Sequence, residues 1–213
     1  MSKEISINIE KSFLEIIIKP IRKKEDIIRL LLETIRFFLI GYSHKNDEFG
    51  KIIIKINKMS RVIYQTKNKI FSINFPFSIK ENGKLKYEIL DTTLKIQFDN
   101  KIISSLIELL NEGILDENYL IDFLDKIDQI EQTLNYNDDN KIWKLLKKLL
   151  FLECGYLRFD YDEEYQNGDY HPINHYDIYY SNSNTFKLGL NETIDVEKFI
   201  DLLDITTPCH FIK

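Results

Sequence analysis

A period-two alternation between residues 155 and 190 is the feature that most constrains the fold. Three segments, Tyr156–Asp162, Asn174–Tyr180 and Thr185–Leu190, each alternate apolar and polar side chains. Successive side chains of a β-strand point to opposite faces, so this pattern predicts three strands that each have one apolar and one polar face. The turn-forming residues Ser181–Asn184 predict that the last two strands form a hairpin.

The alternation also sorts the side chains of these strands between the two faces. The apolar face is predicted to be core and comprises Leu157, Phe159, Tyr161, Tyr176, Ile178, Tyr180, Phe186, Leu188 and Leu190. If the first strand pairs beside the hairpin, one polar surface collects Arg158, Asp160, Asp162, His175, Asp177, Tyr179 and Lys187.

The chain before this region begins with predicted helices and continues with strands. Ile5–Ile18 is predicted to be a helix that ends at Pro20, and Glu25–Tyr42 a buried helix with Gly41 at its C-terminal cap. Residues 51–77 are β-branched and aromatic with period two, which predicts an antiparallel meander. Asn82–Gly83 predicts a further hairpin, and Leu94–Phe98 could add a strand.

From residue 99 the spacing of apolar residues becomes helical again. We predict helices over Asn100–Leu110, over Glu117–Leu134 with Asp128 and Glu131 facing outward, and from a cap at Asp138 or Asp139 to Leu150. The outer face of that last helix is predicted to carry Lys141, Lys144, Lys147 and Lys148. A final helix is predicted over Asp195–Leu203.

These elements indicate an α+β fold: an antiparallel sheet packed by the buried helix at 25–42 and flanked by a helical hairpin. A length of 213 residues with 44% hydrophobic residues suits one domain over 1–213 that includes the helical segment 100–150. Two cysteines and the absence of a signal-peptide pattern favour a reducing, cytoplasmic location. The most apolar run, Ile27–Ile40, is too short and too charged to cross a membrane.

Histidines and carboxylates of the polar surface suggest a metal site. His171-Pro172-x-x-His175-x-Asp177 has ligand types at short spacing, and Asp160 would face His175 and Asp177 from the next strand. The metal set is therefore predicted to be Asp160, His175 and Asp177. The alternative is that the histidines are hydrogen-bonded beside a turn.

Phosphodiester cleavage with Mg²⁺ or Mn²⁺ is one chemistry for this set. Carboxylates such as Asp160 and Asp177 hold the ion, and a lysine such as Lys187 steadies the attacking water or the developing charge. Nuclease cores place an acidic residue two positions before that lysine, where this chain has Thr185. The alternative is a structural ion-pair network in which Arg158 and Lys187 neutralise the aspartates.

Candidate catalytic residues are thus Asp160, His175, Asp177 and Lys187. Further polar side chains around them are candidates for ligand binding: Arg158, Asp162, His171, Tyr179, Ser181 and Asn182. Tyrosines on such a surface could stack on nucleic-acid bases, although they could equally fill a solvated sheet face.

Three motifs in this region also carry a family resemblance: R-F-D-Y-D at 158–162, H-P-x-x-H-x-D at 171–177 and S-N-S-x-T-F-K-L-G-L at 181–190. Together they resemble a family of uncharacterised bacterial proteins, a domain of unknown function associated with mobile and phage-defence gene neighbourhoods. The resemblance covers about 45 C-terminal residues. It implies a bacterial origin and a role in defence, and it implies no activity.

Two function classes stay open from the sequence. The first is a component of an anti-phage defence complex whose polar sheet face binds a nucleotide, a nucleic acid or a partner protein. The second is a metal-dependent phosphoester hydrolase, such as a nuclease, that uses Asp160, His175 and Asp177. Whether the protein is an enzyme depends on which of the two holds.

Overall fold

The computed structural model describes residues 4–41, 49–56, 59–83, 86–111, 120–135, 140–181 and 184–211. Helices and antiparallel sheets are mixed, so the predicted α+β class is confirmed. The chain divides into two compact units, one formed by residues 1–20, 45–76 and 154–213 and the other by residues 21–44 and 77–153. The single domain expected from the sequence stays a prediction.

The first unit contains a seven-stranded antiparallel sheet in the order β1-β2-β3-β4-β8-β9-β10. Its strands are β1 (Glu4–Asn8), β2 (Lys51–Lys55), β3 (Arg61–Gln65), β4 (Lys69–Asn74), β8 (Leu157–Tyr161), β9 (Asn174–Ser181) and β10 (Asn184–Gly189). Pairing of β4 with β8 joins the predicted meander to the predicted C-terminal strands. Among its described residues, the α-helices are α1 (Lys11–Ile17) and α6 (Val196–Leu203).

One face of this sheet packs on α6. Apolar side chains from four strands meet Val196 and Phe199 in a buried cluster: Ile53, Ile63, Ile70 and Phe159. The Asp195 carboxylate caps α6 by accepting the Lys198 backbone N–H at 2.7 Å. Leu157, Tyr161 and Tyr176 pack against the same cluster, as the alternation predicted for the apolar face.

Two predictions for this unit are wrong. Residues 4–8 of the predicted first helix are a strand, because Ile5 and Ile7 alternate with exposed neighbours and the segment pairs along β2. The helix starts only at Lys11, where Phe13 and Ile17 become buried at a spacing of four. Phe186 was expected in the core, but it is 49% exposed on β10, the last strand of the sheet.

The second unit combines helices with a three-stranded sheet. The strands are β5 (Ser78–Glu81), β6 (Tyr87–Asp91) and β7 (Ile96–Gln97), and the helices are α2 (Lys24–Ile40), α3 (Asn100–Asn111), α4 (Leu120–Thr133) and α5 (Lys141–Leu150). Helix α2 is as buried as predicted, and it ends at Gly41 with a φ of 79° that glycine adopts readily.

The N-terminus of α5 is capped from another helix. Both the Ile142 and the Trp143 backbone N–H groups donate to Glu131 Oε1, at 2.6 and 3.1 Å. Glu131 was predicted to face outward and is instead buried, because its carboxylate satisfies these helix-terminal donors. The predicted caps, Asp138 and Asp139, lie outside the described residues.

Lys148 likewise departs from its predicted place on a solvated face. Its Nζ lies 2.6 Å from Oδ2 of Asp91, a carboxylate that is fully buried on β6. Asp91 Oδ1 accepts the backbone N–H groups of Thr93 and Leu94. Lys148 therefore neutralises a buried charge, whereas Lys144 on the same helix is exposed.

Lys148→Met should lower the free energy of unfolding by about 1 to 3 kcal/mol, because it leaves the buried Asp91 carboxylate without its cation. The matched change Lys144→Met should alter stability by less than about 0.5 kcal/mol. Urea denaturation of both variants measures the difference. Equal losses would show that the Asp91 pair contributes nothing.

No helix among the described residues is both long enough and apolar enough to span a membrane.

Candidate functional site

The polar surface predicted from the alternation lies on strands β4, β8, β9 and β10. Residues directly opposite one another form two rows across these strands. The first row is Lys69, Asp160, His175 and Gly189, and the second is Phe71, Arg158, Asp177 and Lys187. Directly opposite residues of antiparallel strands point to the same face of the sheet. The two rows therefore bring the predicted metal set, Asp160, His175 and Asp177, next to one another.

Arg158 lies between the two aspartates of this set. Its Nη2 donates to Asp177 Oδ2 and lies 2.7 Å from Asp160 Oδ2. Burial alone would lower the pKa of Arg158, but Tyr156, Asp160 and Asp177 outweigh it and raise that pKa above its ordinary value. The guanidinium therefore stays charged and holds one oxygen of each carboxylate.

The other oxygen of each carboxylate has no such partner. Asp160 Oδ1 and Asp177 Oδ1 are buried and make no hydrogen bond to any described residue. Lys187 Nζ lies 3.9 Å from Asp177 Oδ1, which is beyond hydrogen-bond length. Buried oxygens left unpaired in a native structure call for an explanation, and a bound cation supplies one.

His175 adds a third donor atom that points at these carboxylates. Its side chain is 1% exposed, and Nδ1 lies 2.8 Å from the Pro172 carbonyl oxygen. A carbonyl can only accept, so Nδ1 carries a hydrogen and Nε2 is the ring nitrogen available to a metal ion. Nε2 lies 3.7 Å from Asp160 Oδ2 and 4.0 Å from Asp177 Oδ1.

A glycine allows the turn that fixes this ring. Gly189 lies opposite His175 on β10, and a Cβ at that position would approach Pro172 Cγ to 3.0 Å. The small residue therefore leaves room for Pro172, whose carbonyl orients the His175 ring.

Asp160, His175 and Asp177 together fit a metal ion. They can each offer one ligand atom, and these atoms lie within 4.8 Å of one another. An imidazole whose other nitrogen donates to a backbone carbonyl is the usual arrangement of a metal-binding histidine. One nitrogen and two carboxylate oxygens suit Mn²⁺, Zn²⁺ or Fe²⁺ better than an all-oxygen ion such as Mg²⁺.

His171 and Asp162 form a separate pair beside this set. His171 Nε2 lies 3.9 Å from Asp162 Oδ2, and the rings of His171 and His175 are 4.7 Å apart. The turn at Pro172 directs His171 to Asp162, and His175 to Asp160 and Asp177.

Two tyrosines border the second row. Tyr156 and Tyr179 meet edge to face at 6.3 Å, and the Tyr156 hydroxyl accepts from Arg158 Nη1 at 3.5 Å. Burial raises the pKa of Tyr156 to about 12, although Arg158 opposes the shift. Tyr156 thus remains a neutral phenol that supports Arg158. Ser181 is the last residue of β9, and Asn182 lies outside the described residues.

Lys69 is the member of these rows that the sequence did not single out. It opens β4, inside the segment 51–77 that was predicted to be a meander from its β-branched and aromatic residues. Lys69 precedes Phe71 by two residues, so strand alternation places both side chains on one face. Its cross-strand neighbour Asp160, however, is about ninety positions away along the chain. Burial lowers the pKa of Lys69, with the nearby Arg158 acting in the same direction.

Comparison with family models, with curated proteins and with solved structures finds no match to this chain. The resemblance to a bacterial defence-associated family therefore stays a prediction.

Proposed function

We propose that the protein is a metal-dependent phosphoester hydrolase whose ion is held by Asp160, His175 and Asp177. The observation that carries this proposal is that these three residues each offer a ligand atom within 4.8 Å of the others, while Oδ1 of each aspartate is buried without a hydrogen-bond partner among the described residues.

Charge around the set points to an anionic substrate. The two aspartates carry −2 and Arg158 carries +1, so a divalent cation makes the buried group positive. Lys187, 42% exposed, adds a further positive charge at the rim. A positive, partly buried site of this kind favours a phosphoryl group, whose charge is spread over several oxygens.

Each residue then has a definite task. A divalent cation at this position would activate water and neutralise charge on the phosphoryl group. Arg158 holds both carboxylates in place, and Pro172 keeps the His175 ring oriented. Lys187 is placed to contact a phosphoryl oxygen from the solvent side.

A small substrate suits the surroundings better than a polynucleotide. The loop from Asp162 to Ile173, between β8 and β9, contains four carboxylates and no lysine or arginine. A nucleic-acid strand crossing this loop would meet like charge, because each nucleotide adds a negative phosphate. The binding of nucleic acid, nucleotide or a partner protein within a defence complex stays a prediction from the sequence.

Hydrolysis of p-nitrophenyl phosphate and bis-p-nitrophenyl phosphate with Mn²⁺, Zn²⁺ and Mg²⁺ tests the proposal. We expect the wild type to show a metal-dependent rate that EDTA abolishes. Asp177→Asn should reduce kcat/KM at least about 100-fold, because it weakens the ion's ligand set.

The control is Asp201→Asn, which alters an exposed aspartate of the same unit that pairs with His210. It should retain the wild-type rate. Thermal denaturation of each variant establishes that it is folded. Absence of any metal-dependent rate in the wild type, or an unchanged rate in folded Asp177→Asn, would refute the proposal.

A further inference from the structure

We infer that Lys69 is a substrate-positioning residue whose ammonium group binds a phosphoryl oxygen next to the Asp160, His175 and Asp177 site. The inference rests on the proposed function and deepens it by adding a residue that contacts the substrate. Two observations support it: the register of β4, and the lack of a partner for Lys69 among the described residues.

Register places Lys69 against the metal set. Its Cα is paired with that of Asp160, which is in turn paired with His175 on the next strand. Side chains at directly opposite positions have Cβ atoms about 4.5 to 5.5 Å apart and share a face of the sheet. The Lys69 side chain therefore begins on the Asp160 side of the set, whereas Lys187 begins on the Asp177 side.

Lys69 also lacks a partner of its own. It is partly buried, yet its ammonium makes no hydrogen bond and no ion pair within 4 Å to the residues that the structure describes. Other partly buried lysines of the chain are paired, as Lys55 is with Glu4 and Lys148 with Asp91. A half-buried ammonium without a partner is unfavourable, and an anionic ligand would remove that cost.

The nearby aspartates are not hydrogen-bond partners of the Lys69 ammonium. Asp160 and Asp177 attract Lys69 from a distance, but each already binds Arg158 through Oδ2. A phosphoryl oxygen held beside the set would give Lys69 the charge-assisted hydrogen bond that it lacks.

Binding of Mn²⁺ and then of inorganic phosphate to the Mn²⁺-loaded protein tests this role by calorimetry. Lys69→Met should bind Mn²⁺ like the wild type but bind inorganic phosphate about 10- to 100-fold more weakly, since it loses a hydrogen bond to a charged group. In hydrolysis assays the same variant should raise KM more than it lowers kcat. Lys69→Arg, which keeps the charge, should recover part of the phosphate affinity.

Lys67→Met is the matched control, because Lys67 is an exposed lysine two residues earlier in the turn before β4. It should leave the affinities for Mn²⁺ and for inorganic phosphate unchanged.

Lys69→Gln is measured in parallel and should show the same loss of phosphate affinity, so that the result does not depend on how well Lys69→Met folds. Unchanged phosphate affinity in a folded, Mn²⁺-binding Lys69 variant would overturn this inference alone. Failure of the wild type to bind Mn²⁺ would overturn the proposed function as well.

Discussion

Arg158→Met should lower the free energy of unfolding of the metal-free protein by about 3 to 5 kcal/mol, because it leaves two buried carboxylates without their shared cation. The side chains of Asp160 and Asp177 are only 12% and 15% exposed, so water replaces little of the lost interaction. Methionine fills a volume similar to that of arginine, so the substitution removes mainly the charge and the hydrogen bonds of Arg158. Urea denaturation at neutral pH measures the effect.

Lys198→Met provides the comparison for this prediction. Lys198 pairs with Glu192 at 3.2 Å, but both side chains are more than half exposed, so the loss should be at most about 1 kcal/mol. Adding Mn²⁺ should restore part of the stability of Arg158→Met, because the ion binds the folded state and supplies the missing positive charge. A loss for Arg158→Met no larger than that for Lys198→Met would mean that the arginine does not hold the aspartates together.

The arrangement of the C-terminal strands could be predicted from the sequence because its signal is local. Alternation over 157–161 and 174–178 determines which side chains share a face, and the register then brings Asp160, His175 and Asp177 together. The same reasoning gave Arg158 and Lys187, as the alternative to a metal site, the task of neutralising the aspartates, and Arg158 pairs with both of them. Each of these inferences needs only the period of a strand and the pairing of strands that are near in sequence.

Contacts between segments that are far apart along the chain could not be predicted from a local sequence pattern. Lys69 meets Asp160 only because β4 pairs with β8, and nothing in the sequence near either residue predicts that pairing. Glu131 and Lys148 looked like solvated helix residues, since charge at helical spacing is typical of an exposed face. Their burial depends on partners elsewhere in the second unit, the N-terminus of α5 and Asp91.

The strand at residues 4–8 was missed for a different reason. Its five residues run almost directly into α1, so a single window over 5–18 mixes two periods and favours the longer helical one. Ile9 is buried between the two elements and extends both patterns. Periodicity alone therefore does not distinguish a short strand well from a helix that follows it directly.

His175→Ala should reduce the affinity for Mn²⁺ or Zn²⁺ at least about 100-fold, because it removes the one nitrogen ligand and the oriented lone pair of the set. His210→Ala is the matched control: His210 pairs with Asp201 at 2.8 Å on an exposed part of the same unit. It should bind the ion as tightly as the wild type. Equal losses for the two histidine variants would place the ion elsewhere.

Calorimetric titration of the metal-free wild type with Mn²⁺, and separately with Zn²⁺, tests the existence of the site most directly. The geometry of Asp160, His175 and Asp177 predicts one saturable ion per chain, with binding lost in His175→Ala and Asp177→Asn while both variants remain folded. Absence of saturable binding to the wild type, or the same binding by wild type and both folded variants, would contradict a metal site at these residues.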